Sequence, residues 1–159
     1  MKKHHVRILS VLIAVIMLIG VLSLTALADE ANVEVTSWGE LQSAQSAAEG
    51  STVVVSGKIE MEAPVAFQNV VTLQLTDTAE LTYTSDANSR VELITLQGGS
   101  ELAMAAGSSV TMTGTGTQNT SRDWRAIYSN GNLSVTEFAG SITVENARGR
   151  GLYANNDLA

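Results

Sequence analysis

From Thr52 onward, apolar residues fall on alternate positions in short runs. Thr52-Val-Val-Val55, Lys58-Ile-Glu-Met61, Val71-Thr-Leu-Gln-Leu75 and Glu80-Leu-Thr-Tyr83 open the series. Runs at 92–96, 101–104, 109–112, 126–128, 133–136, 141–144 and 151–154 continue it. Segments this short, with aliphatic or β-branched side chains on every second position, predict half-buried strands. Glycines recur between them, and Pro64, the single proline of the chain, also falls between runs, where it removes no ladder hydrogen bond. Upstream the period changes. Val33 and Val35 alternate in a short lead-in strand within 29–36. Trp38, Leu41, Ala44 and Ala48 then recur at helical spacing over 37–48. Ser37 and Glu40 are spaced for a capping box, and Gly50 is placed to end the helix in the left-handed conformation.

The runs also repeat. Arg125-Ala-Ile-Tyr-Ser-Asn130 and Arg150-Gly-Leu-Tyr-Ala-Asn155 share one pattern 25 positions apart. Leu102-Ala-Met104 followed by Gly107-Ser-Ser-Val-Thr-Met112 parallels Leu133-Ser-Val135 followed by Gly140-Ser-Ile-Thr-Val144. Self-similarity at such periods marks a chain that stacks one supersecondary unit on the next. A β-sandwich also has many short strands, but it does not need matching segments at matching positions. The fold class expected is therefore all-β, a β-solenoid with coils of roughly 20 to 30 residues and a short helix over its N-terminal end.

Three segments carry a family resemblance: Thr36-Ser-Trp-Gly-Glu-Leu41, Gly50-Ser-Thr-Val-Val-Val-Ser-Gly57 and Gly140-Ser-Ile-Thr-Val-Glu-Asn146. Their order after an export signal resembles the start of right-handed parallel β-helix proteins, the pectate-lyase-like folds found among bacterial surface proteins and adhesins. The similarity spans about residues 33–155. It implies three parallel sheets wound into a prism with an N-terminal capping α-helix. Such proteins range from polysaccharide lyases to non-catalytic adhesive stalks, so the fold does not choose an activity.

The N-terminus sets the compartment. Residues 1–7 are basic, Ile8 to Ala28 contains no charge, and Ala26-Leu27-Ala28 offers small residues for cleavage. This is the layout of a secretory signal peptide over residues 1–28. If it stayed uncleaved, the segment would be the only membrane contact. The remainder divides into 29–50, lead-in strand and capping helix, and 51–159, the coils. With Lys2, Lys3 and Arg7 removed, 6 basic residues face 16 acidic ones, a net charge of −10. That acidity disfavours nucleic acid and anionic membranes. The chain ends just after a repeat segment without a second capping pattern, so coils continuing past residue 159, or a stacking subunit, are expected.

The chemistry available is narrow. The chain has no cysteine, and both histidines, His4 and His5, lie in the signal segment, which leaves no Ser-His-Asp or transition-metal set. No acidic pair is singled out by spacing for glycoside cleavage. The calcium-binding Asp cluster and Arg base of the similar lyases find no match, so no catalytic, cofactor or metal residues are assigned. Candidate ligand contacts are Trp124 in a turn between Arg122 and Arg125, the paired Tyr128 and Tyr153, and Arg148 and Arg150 in a glycine-flanked turn. Asn130 and Asn155 suit a hydrogen-bonded turn ladder. These features suggest an exported, non-catalytic surface module of adhesin or stalk type that binds carbohydrate or another surface protein. The alternative is the first part of a lyase or hydrolase whose catalytic coils lie beyond residue 159.

Overall fold

Among the described residues, thirteen short strands pair in parallel, and none forms a hairpin with its sequence neighbour. The computed structural model describes residues 31–87, 89–115 and 123–159. The expected signal segment and the stretch 116–122 lie outside the described residues. One sheet contains β1 (Asn32–Val35), β2 (Thr52–Val55), β5 (Thr72–Leu75), β8 (Ser100–Met104) and β11 (Leu133–Phe138). A second holds β3 (Lys58–Met61), β6 (Glu80–Ser85), β9 (Ser109–Gly114) and β12 (Ser141–Glu145). The third holds β4 (Val65–Ala66), β7 (Val91–Leu96), β10 (Trp124–Ser129) and β13 (Gly149–Ala154). From β2 onward the chain visits the three sheets in rotation, so each strand bonds to the strand three places later. Three parallel sheets and one short helix are consistent with a β-solenoid.

Alternation places one side of every coil inside. Val53, Leu73 and Leu102 stack in register, as do Val55, Leu75 and Met104 in the same sheet. Ile59, Leu81 and Val110 form the matching column of the second sheet, and all of these side chains are buried. Burying an aliphatic side chain of this size contributes about 1.5–3 kcal/mol. Thr82 and Thr111, the residues between, point outward in their own column.

The repeats align by register, with one adjustment. Arg125 pairs with Arg150 and Tyr128 with Tyr153, so the offset of 25 is a true coil length. Leu102, however, pairs with Val135 rather than Leu133, and a bulge follows between Val135 and Glu137. Coil length thus ranges from 20 residues (Thr52 to Thr72) to 33 (Leu102 to Val135), the difference lying in the turns. Pairing also reveals β4, two residues with too little pattern to be read from sequence.

The helix α1 (Trp38–Ala44) is shorter than its apolar stripe predicts. Gln45 ends it through contacts with the β4 region. Its carbonyl accepts the Gln68 amide and its side-chain oxygen accepts the Ala66 amide, both at 2.9 Å. Leu41 and Ala44 are buried in the core, Ala47 packs against it, and Ala48 is exposed. At the N-terminus, Ser37 Oγ accepts the Glu40 amide at 3.4 Å. The Glu40 carboxylate reaches one residue further back than a simple box, accepting from the Thr36 amide at 2.8 Å and the Thr36 hydroxyl at 2.9 Å.

Those Thr36 bonds, the amide first, hold the Glu40 carboxyl below its ordinary range. A lowered folded value means that its stabilisation is complete above the unfolded glutamate range and is lost as pH falls through the folded value. The stability difference between wild type and Glu40→Gln, measured by urea denaturation across pH, should therefore be widest at neutral pH and close in acid. Gly107 has φ +97°, and a Cβ there would lie 2.7 Å from the Asp77 carbonyl oxygen of the preceding coil. Gly107→Ala should cost more than about 1–2 kcal/mol. Gly39→Ala, with open space around it on the helix, should stabilise by about 0.5–1 kcal/mol.

Candidate functional site

The third sheet does not alternate strictly. In β7 both Leu93 and Ile94 are buried, and in β10 both Ala126 and Ile127 are buried. The pairing steps over the first of each pair: Glu92 aligns with Arg125, then Ile94 with Ile127. The same step passes Gly151 between Arg150 and Leu152. Strands β7 and β10 therefore bend at this point and reverse the phase of their side chains, and β13 pairs with the same step. Residues three apart, which a flat strand would place on opposite faces, meet on the outer surface. This is why the repeated unit reads Arg, small, aliphatic, Tyr.

Tyr128 and Tyr153 stack one coil apart, with ring centroids 5.9 Å apart and planes inclined by 18°. The Arg125 guanidinium lies 4.0 Å from the Tyr153 centroid and 5.1 Å from that of Tyr128. Arg90 lies 5.8 Å over Tyr128, and Arg150 lies 4.9 Å over Tyr153. The ring faces thus meet each other and the guanidinium groups. What the strip leaves available is guanidinium edge and phenol hydroxyl, since neither hydroxyl has a hydrogen-bond partner among the described residues.

Charge is unevenly compensated along the strip. Glu92 Oε1 takes Arg90 at 2.6 Å and Arg125 Nη1 at 3.2 Å. Asp123 takes Arg125 Nη2 at 3.3 Å. The Arg125 side chain is only 8% exposed, and its Nε has no hydrogen-bond partner among the described residues. Arg148 and Arg150 are exposed and make no ion pair among the described residues. Like charges directly opposite in a ladder are destabilising, and Arg150 sits opposite Arg125.

Of the sequence-derived candidates, the structure brings Tyr128, Tyr153 and Arg150 together and places Arg148 just before the same strand. Trp124 requires correction. It begins β10 rather than lying in a turn, and it is 0% exposed, with its side chain in the core. Gly149 is its register partner, and a Cβ there would lie 2.6 Å from the Trp124 carbonyl oxygen and 3.2 Å from its Cβ. The next coil thus approaches the Trp124 backbone too closely for any side chain at Gly149. Arg90, Glu92, Asp123 and Arg125 escaped sequence reasoning as a group, because only the repeat position of Arg125 signalled anything. Asn130 bonds to the preceding coil, donating to Gln97 Oε1 and accepting the Gly98 amide, each at 2.7 Å, so its turn ladder is a mixed Gln–Asn one.

Elsewhere, a groove of about 460 Å³ lies beside the outer face of the first sheet and offers the side chains of Thr52, Thr72 and Glu101. No three His, Cys, Asp or Glu side chains gather to hold a metal ion among the described residues. Compared with protein-family models, curated proteins and solved structures, the chain matches none.

The ion pairs and ring contacts make Arg125 structural. Arg125→Leu should destabilise by about 2–3 kcal/mol, from charge-assisted bonds and a desolvated cation–π contact. Arg150→Leu, on an exposed side chain, should change stability by less than about 0.5 kcal/mol. Chemical denaturation of both variants measures the contrast.

Proposed function

We propose that this chain forms an exported, non-catalytic surface module: a right-handed parallel β-helix of the pectate-lyase-like kind, serving as an adhesin-like or stalk element. The observation that carries the reading is the in-register Arg/Tyr strip, a repeated chemical surface displayed on a rigid stack of coils. Right-handedness follows from the strong preference of parallel crossovers for that hand. Export follows from the basic, apolar and small-residue order of residues 1–28. The chain has no cysteine, so its stability outside the cell rests on the core and the ladders and not on disulfides. Binding at such a surface needs no acid–base pair, only side chains held in fixed positions, and carbohydrate is the partner class that guanidinium and phenol donors suit.

Expression of the full chain with a C-terminal tag in a bacterial host tests this reading. The tagged protein should reach the outside or the cell surface, shortened by about the mass of residues 1–28. Deletion of those residues should keep it in the cytoplasm. Full-length protein accumulating in the cytoplasm would overturn the proposal.

A further inference from the structure

The arginines are segregated. Among the described residues, Arg90, Arg125, Arg148 and Arg150 all lie in, or directly before, strands of the third sheet. Lys58 is on the second sheet, paired with Glu80 at 2.8 Å. On a body with 16 acidic residues, the third sheet therefore carries the described arginine charge. Two of these groups are compensated by Glu92 and Asp123, whereas Arg148 and Arg150 face solvent on β13 and just before it.

We propose that Arg150, over the Tyr153 ring, and Arg148, two residues before it, bind one isolated acidic group of a glycan: the carboxylate of an acidic sugar or a sulfate ester. The inference rests on the surface-module reading above and names its ligand. The Arg150 guanidinium lies over the Tyr153 ring, 4.9 Å from its centroid, and is exposed, and a planar fork of N–H donors suits the paired oxygens of a carboxylate or sulfate. An anion there also relieves the in-register repulsion between Arg125 and Arg150. The ring faces of Tyr128 and Tyr153 are turned to each other and to guanidinium groups, so a neutral sugar finds no aromatic platform. The number of acidic groups is limited by charge. The compensated Arg90 and Arg125 take no further anion, and the net charge of the whole repels a densely charged chain.

The test immobilises the secreted protein and measures retention of oligosaccharides of one length: neutral, bearing one terminal carboxylate sugar, bearing one sulfate ester, or acidic at every sugar. An acidic hexapeptide is the fifth probe. Expected is binding of a singly acidic probe at least about tenfold tighter than the neutral one, weakening as salt rises. Carboxylate against sulfate identifies the source of the anion. Arg148→Gln and Arg150→Gln should each reduce this affinity by about tenfold. Both side chains are exposed, so unchanged circular dichroism confirms the fold. Equal retention of the neutral probe, unaffected by either variant, would overturn the inference and leave a carbohydrate-binding surface module standing. Tighter binding of the fully acidic chain would overturn the single-anion geometry, and binding of the hexapeptide alone would make the partner a protein. Retention of none would also overturn it, with the localisation experiment deciding the surface-module reading separately.

Discussion

The parallel ladder between successive coils is the constraint on which everything else depends. Among the described residues no strand exceeds six residues and none is paired by a hairpin, so each finds its backbone partners only in the coils before and after it. Unpaired backbone groups in a buried setting are costly. A slip of one residue would also turn every side chain over, burying Thr82 and Thr111 while exposing Leu81 and Val110. Hydrogen bonding and burial therefore specify the same register. That agreement is what allows turns to vary from coil to coil without disturbing the core.

The surface chemistry inherits that precision. Because the coils are in register, equivalent residues stack at strand spacing, and a repeated Tyr becomes a ring stack while a repeated Arg becomes a charge column. Stacking like charges is unfavourable, and the structure offsets it in two ways. Glu92 and Asp123 flank the buried Arg125, and the tyrosine faces accept the guanidinium groups. The compensation fades toward β13, where arginine charge is left facing solvent. The bend at Leu93, Ala126 and Gly151 is equally necessary. Without it Arg125 would lie on the opposite face from Tyr128, and the cation–π contacts could not form.

Trp124 and Gly149 show how tightly adjacent coils are coupled. The largest buried side chain of the structure sits where the following coil approaches with a glycine. Adjacent coils thus meet backbone against backbone here, as the close packing of interiors allows. The Arg/Tyr unit and this Trp/Gly pair belong to the same two strands, so the outer strip is held from beneath by the core.

Much of this was legible in the amino-acid order, because strand alternation and helix caps are local properties. The runs from Thr52 onward determined where strands form. The Arg125 and Arg150 repeat determined which coils align, and Ser37 with Glu40 determined where the helix begins. Other features depend on contacts supplied by distant parts of the chain, and only the tertiary structure decided them. The two residues of β4 become a strand because β7 pairs with them. The helix stops at Ala44 because Gln45 bonds to the β4 region. Trp124 is core rather than surface because β10 turns its side chain inward, where residues from other coils bury it. The bend that gathers Arg and Tyr on one face interrupts the period-two pattern itself, and a local pattern cannot announce its own interruption.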